Sequence, residues 1–288
     1  MNRLQGPLMM VLSMAGFALQ DALIKGLART IPVGEISLTV GLGGAIVFGL
    51  LLLRRRLPLV TRQAVQGAVL VRNLAEVFAG MCMILGVALV PLSVVSSILQ
   101  AMPLTVTLGA ALFLGESVGW RRWSAIFVGL AGVLMILRPG AGSFDHLALI
   151  PLAAVFVLST RDIATRKVPP GVPSLQLSFW GFLALFPGGA MLLALRGEGL
   201  VMPDALEWLM LLGATVSGVL SYAALVMATR TGSIAATTPF RYARLVFAML
   251  LGILVFGERP DGWTLAGSAL VVAAGFYTLM REMRVKRR

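Results

Sequence analysis

The second half of this chain repeats the first, and the offset of the repeat limits what the chain can fold into. Leu114, Gly115 and Glu116 close one long apolar stretch, and Phe256, Gly257 and Glu258 close another. Gly119-Trp120 recurs as Gly262-Trp263, and Leu92-Ser93 as Gly232-Ser233, so the offset is nearly constant and close to half the chain. Solenoid and propeller units run roughly 20 to 50 residues, so an offset this long describes a duplicated domain, with copies expected at residues 1–140 and 141–288.

Each copy is a membrane unit. Soluble chains are about 45–50% apolar and about 25% charged. Here the values are 58% and 12%, with a mean hydropathy of +0.93. Long uncharged runs recur, and a bilayer core of about 30 Å needs about 20 helical residues. The run 77–115 is long enough for two helices, folded back at Val90, Pro91, Leu92 and Ser93. Ten helices are expected, at residues 7–28, 35–53, 64–89, 94–115, 122–138, 146–160, 174–195, 206–228, 234–257 and 263–281. The fold class is therefore an all-α integral membrane protein. Five crossings per copy make the second copy enter the bilayer from the opposite side, giving two inverted five-helix repeats.

The formal net charge of +12 does not point to nucleic acid, because the basic residues are sorted by side. With the N-terminus inside, sixteen Lys or Arg fall in cytoplasmic segments, including Arg54, Arg55, Arg56, Arg161 and Arg166. Only Arg29, Arg138, Arg196 and Arg259 fall on the other side. This asymmetry places both termini in the cytoplasm, and the basic tail from Arg281 is an orientation signal beside anionic lipid. The first apolar stretch runs into Asp21 and Lys25 without a cleavage site, so it is read as a retained helix. The lone Cys82 cannot form an intramolecular disulfide, and the lone His146 rules out a multi-histidine metal site. No cofactor or metal is expected.

Residues 85–137 and 228–280 share one plan: a helix end, a small-residue hairpin with serine, a long helix ending in Gly-Glu, and a last helix carrying Gly129 and Gly132 or Gly267 and Gly275. On these residues the chain resembles the drug/metabolite transporter superfamily, specifically its ten-helix EamA-type members. The resemblance implies a basket of helices around a cavity and a secondary transporter of small metabolites in the inner membrane, with export of amino acids as the expected activity. Uptake of S-adenosylmethionine-like compounds and efflux of drugs are the alternatives. The two halves differ where substrate would be met: the fourth helix reads Gln100, Ala101, Met102, Pro103, and the ninth reads Thr238, Pro239, Phe240, Arg241, Tyr242, Ala243, Arg244.

Charges within the expected helices are the first site candidates, since each costs about 2.5–3.5 kcal/mol at the bilayer centre and needs a partner or a wet cavity. They are Asp21, Lys25, Arg72, Glu76, Arg241 and Arg244, with Asp162 just past a helix end. Asp21 with Lys25, and Arg72 with Glu76, are spaced to neutralise each other on one helix face. Arg241 and Arg244 have no acid nearby in sequence. Two readings are open for them: pairing with Glu76 across helices, or binding an anionic ligand group. Gln20, Asn73, Gln100, Ser159, Tyr222 and Tyr242 complete the substrate-binding candidates. Thr160, Ser217 and Ser221 accompany them, Trp180 and Trp208 are read as interface anchors, and Met9, Met10 and Met14 as core filler. Pro103 and Pro239 are candidate hinges, with Pro103 expected to bend the fourth helix near its middle. An intramembrane enzyme would need a paired-His, HExxH or paired-Asp constellation, and the sequence has none. The partners expected are a small-molecule substrate and the bilayer, with the chain working as a monomer.

Overall fold

A backbone in hydrocarbon must satisfy its hydrogen bonds internally, so apolar runs of membrane length fold as helices. The computed structural model of the protein describes residues 5–113, 119–138, 145–169, 171–231 and 238–285, and every regular element among them is helical. Three long helices come first: α1 (Gln5–Leu27), α2 (Val33–Arg54) and α3 (Gly67–Leu89). The fourth span is divided into α4 (Leu92–Leu99) and α5 (Met102–Phe113). Then follow α6 (Trp120–Leu137), α7 (Leu149–Arg166), α8 (Ser174–Arg196) and α9 (Ala205–Thr231). A 3-10 segment, Thr238–Tyr242, leads into α10 (Ala243–Phe256), and α11 (Gly262–Val285) is last. Among the described residues, seven spans are long and apolar enough to cross a membrane, and Trp123–Leu137 and Gly262–Tyr277 are shorter apolar helices. The Gly-Glu ending at Glu116 and the hairpin at Gly232-Ser233 lie outside the described residues.

The halves pack on each other reciprocally. α2 lies along α8, α6 along α11, α1 along α9 and α3 along α7. Glycine sets the closeness of the first two pairs. A Cβ on Gly34 would stand 2.5 Å from the Gly189 carbonyl oxygen, and one on Gly132 would stand 2.8 Å from the Gly267 carbonyl oxygen. Close backbone approach at small residues is how membrane helices gain van der Waals contact without a hydrophobic driving force between them. The contacts also fix direction: Gly34, Gly41 and Gly49 meet Gly189, Phe182 and Phe179 in that order, so α2 and α8 run antiparallel. Gly129 and Gly132 meet Ala274 and Val271, and Gly267 meets Ile136, so α6 and α11 are antiparallel too.

Two expectations are corrected. The helix expected to end at residue 160 continues to Arg166, so Arg161 and Asp162 lie within α7 instead of beyond it. The uncharged run 147–160 is too short to span a bilayer alone, so the helix carries on into charged residues for its last turn and a half. Pro103 lies at the middle of the fourth span, in the first turn of α5, where the span is interrupted at Gln100 and Ala101, whose amides bond to the Ser97 and Ile98 carbonyls three residues back. Pro103 has no N–H to give the Leu99 carbonyl, so the α-helical ladder cannot run through this point. Pro239 lies in the 3-10 segment Thr238–Tyr242 and not inside an α-helix. Met10 and Met14 are buried with Ala228, as core filler should be.

Candidate functional site

The two arginines of the ninth span, which have no acid nearby in sequence, go separate ways. Arg244, in the first turn of α10, places Nη2 2.7 Å from Asp21 Oδ2 on α1. Its guanidinium also stacks over the Phe17 ring at 5.4 Å. Arg244 therefore pairs with Asp21 and not with Glu76, and the local Asp21–Lys25 pair does not form. One helical turn further on, Lys25 turns away from Asp21 to donate to the Val90 carbonyl at 2.7 Å. Arg241 is exposed in the 3-10 segment and has no ion-pair partner among the described residues.

A second charged group joins α3 and α7. Glu76 stands between two guanidiniums, Arg72 at 3.5 Å on its own helix and Arg161 at 3.2 Å across the interface, and Arg161 also holds Asp162 at 2.8 Å. Arg72 is nearly inaccessible; it donates further to the Leu177 carbonyl and to Asn73 Oδ1, both at 3.0 Å. The sequence alone puts Arg161 in a cytoplasmic segment, just past the helix end expected at residue 160. The signal that could find it is the repeat itself, whose offset relates Asp21 to Asp162 and Gln20 to Arg161. In the second half the position before the aspartate is an arginine, which holds Asp162 on its own helix and also reaches Glu76 across the interface. In the first half it is the neutral Gln20, and Asp21 reaches across to Arg244.

A third cluster sits at the α3–α4 hairpin. Glu258 accepts from the Leu92 amide at 2.6 Å, the Ser93 amide at 3.0 Å and the Ser93 hydroxyl at 2.8 Å. Lys25 lies 3.8 Å from Glu258 and over the Phe256 ring. In the sequence Glu258 stands out only as a marker of the repeat, because nothing local shows the helix end it will meet.

The neutral candidates divide by what they touch. Asn73 donates to the Ala64 carbonyl at 3.0 Å, so it holds the loop before α3. Ser159 bonds Thr105 at 2.6 Å and the Val155 carbonyl at 2.7 Å, joining α7 to α5. Thr160 and Ser221 bond carbonyls of their own helices, at Phe156 and Ser217. Gln20 packs its amide against Gly218 of α9, and Gln100 is buried at the break in the fourth span. Tyr242 is buried with its hydroxyl against Gly275, and that oxygen has no hydrogen-bond partner among the described residues. Trp180 is not an interface anchor: it is 5% exposed and donates to the Leu59 carbonyl at 2.9 Å. Tyr222, Phe48 and Phe182 form a three-ring group, with Tyr222 edge-on at 5.9 and 6.3 Å. Among the described residues no cluster of His, Cys, Asp or Glu could hold a metal.

The EamA-like transporter family matches the chain twice, over residues 4–138 and 147–280. A riboflavin transporter of Rhizobium johnstonii is 28% identical over 98% of this chain and 93% of its own length. A riboflavin transporter of Vibrio cholerae is 32% identical over 67% of this chain and 64% of its own. The pseudopaline exporter CntI of Pseudomonas aeruginosa is 29% identical over 93% of this chain and 94% of its own. A solved crystal structure superposes with a TM-score of 0.64 over 99% of both chains at 20% identity, and so shares the fold. With two family matches spanning a membrane-helical chain, the protein belongs to the EamA-like transporter family of the drug/metabolite transporter superfamily, as a multi-pass transporter of small metabolites and not an enzyme.

Proposed function

We propose that the protein is a secondary transporter of the bacterial inner membrane that moves amino acids or close zwitterionic relatives by alternating access. Residues 1–140 and 141–288 are the two inverted five-helix repeats, together ten spans, and both termini are cytoplasmic. The observation that carries the substrate class is the Asp21–Arg244 pair. It joins one helix of each half at the start of α10, and it offers one carboxylate and one guanidinium. An ammonium and a carboxylate on one small molecule can insert between them and replace each partner without leaving a buried charge unmatched. The antiparallel course of α2 against α8 and of α6 against α11, helices at equivalent places in the two halves, supports inverted repeats. Export is the direction proposed, in keeping with the pseudopaline exporter among its relatives.

A second reading has its own support. The rings of Phe48, Phe182 and Tyr222 suit a flat heteroaromatic group, and two relatives are riboflavin transporters. Related S-adenosylmethionine uptake transporters of Rickettsia, 24–25% identical, combine a zwitterion with such a ring in their substrate. Purified protein in liposomes, given labelled amino acids, riboflavin and S-adenosylmethionine in turn, separates the readings. The zwitterion reading requires counterflow of an amino acid that Arg244→Ala abolishes while Tyr222→Phe does not. Transport of riboflavin alone, indifferent to Arg244, overturns it.

A further inference from the structure

We propose that Lys25 and Glu258 are positioning residues for transport: they form the latch of the gate on the face opposite the N-terminus. They do so by neutralising the two helix ends that meet at the α3–α4 hairpin. Lys25 is near the C-terminal end of α1, so the cluster lies at the far face of the bundle from residue 5. At the hairpin, α3 ends at Leu89, with Val90 as its C-cap, and α4 begins at Leu92. A helix C-terminus presents unsatisfied carbonyls and a partial negative charge; an N-terminus presents unsatisfied amides and a partial positive charge.

Each end receives the charge that suits it. The Lys25 ammonium reaches the Val90 carbonyl at 2.7 Å and the Val87 carbonyl at 3.4 Å. The Glu258 carboxylate takes the Leu92 and Ser93 amides and the Ser93 hydroxyl, at 2.6 to 3.0 Å. The two side chains, 15% and 9% exposed, then face each other at 3.8 Å. Phe256 seals the group from one side, with Lys25 at 5.7 Å and Arg29 at 5.5 Å from its ring centre. Lys25 and the hairpin belong to the first half and Glu258 to the second. Any opening of the halves at this face must break the carboxylate's three bonds to the hairpin, while Lys25 can stay with Val90. The latch thus has a fixed side and a releasing side, and Glu258 is the releasing side.

The latch rests on the alternating-access reading, but its distance test needs no substrate, so the two can fail separately. In a Cys82→Ser background, spin labels at Leu89→Cys beside the hairpin and Trp263→Cys at the start of α11 report the gate distance by double electron–electron resonance in liposomes. The parent should show a dominant short distance. Glu258→Gln and Lys25→Ala should each raise the long-distance fraction at least fivefold, and Lys25→Arg should keep the parent distribution. The swap Lys25→Glu with Glu258→Lys should stay open, because each charge then opposes its helix end. A swap that restores the short distance shows an ordinary ion pair and overturns the proposal, as does an unchanged distribution in Glu258→Gln. In transport, turnover should change at least fivefold with apparent KM within twofold; a raised KM with unchanged turnover makes these side chains substrate ligands and also overturns it. If Glu258→Gln fails to reach the membrane, Ser93→Ala, which removes one of the three bonds, should open the gate to a smaller extent, and no opening there refutes the latch.

Discussion

Removing Arg244 alone should cost more than removing Arg244 and Asp21 together. Arg244→Ala leaves the Asp21 carboxylate, whose side chain is 11% exposed, without its 2.7 Å partner. Breaking a buried pair from one side costs about 3–5 kcal/mol, because an uncompensated charge remains. The guanidinium is 22% exposed and some water reaches it, so the low end, about 3 kcal/mol, is the expected loss. Arg244→Ala also forfeits stacking on Phe17, worth about 0.5–1 kcal/mol at a partly wet site. Adding Asp21→Asn removes the stranded charge, and only the stacking and packing loss should remain, about 1 kcal/mol. A double-mutant cycle with Asp21→Asn as the other single mutant, on detergent-solubilised protein unfolded reversibly in denaturant, should therefore give a coupling of about 3 kcal/mol or more, well above the roughly 0.3–0.5 kcal/mol scatter of independent sites. Additive single mutants would show that the pair carries no energy in the folded protein. The reasoning that Asp21 and Arg244 need each other until a zwitterion separates them would then be wrong.

Four other measurements bear on the fold and the cycle. Gly34→Ala would put a methyl 2.5 Å from the Gly189 carbonyl oxygen and 2.9 Å from the Leu193 amide nitrogen, both backbone atoms. It should lower stability by about 1–3 kcal/mol, whereas Gly86→Ala, with its nearest neighbour at 3.5 Å, should be near neutral; thermal unfolding of both variants checks this. Cysteines at Arg55 and Arg166 should react with impermeant reagents from the cytoplasmic side, and cysteines at Asp145 and Asp204 from the other. Termini found on opposite faces would break the ten-span topology. Trp180→Phe keeps an aromatic ring but loses the indole N–H bond to the Leu59 carbonyl and part of the buried ring volume, so it should cost about 1–3 kcal/mol, with transport unchanged at matched protein amounts. Pro103→Ala restores an N–H that can reach the Leu99 carbonyl, so it should extend α4 into α5 and slow turnover severalfold while leaving substrate affinity unchanged; equal turnover would remove the break from the mechanism.

The helices and the family are legible in the sequence, because both are written in long-range hydropathy and in an offset of half the chain. The partners of the buried charges are not. Asp21 and Lys25 have the spacing of a helix pair, and on an isolated helix such a pair gains a few tenths of a kcal/mol. In the folded protein each has a stronger competitor far along the chain: Arg244 for Asp21, and the open carbonyls at Val87 and Val90 for Lys25. Arg72 and Glu76 keep the local pair only because Arg161 adds to it instead of replacing it. Local spacing can report which charges share a face, but a helix end or an opposing guanidinium from the other half decides where they go.

The interrupted fourth span shows why that decision matters for transport. An unbroken helix would bury its ends at the membrane surfaces, where water satisfies them. Here the hairpin at Val90 to Ser93 and the break at Gln100 and Ala101 bring backbone ends into the protein, where each needs a partner. The hairpin's partners are Lys25 from the same half and Glu258 from the other. At the start of α10, the corresponding region of the other half, the charge is a side chain, Arg244, and its partner, Asp21, again comes from across the interface. Both contacts use α1, four residues apart, so the same helix senses the first half's hairpin through Lys25 and the second half's broken span through Asp21. On the proposed reading, a ligand that drew Asp21 away from Arg244 would act on the same helix that carries Lys25 one turn further on, so that occupancy of the proposed site and the proposed latch would share one structural element.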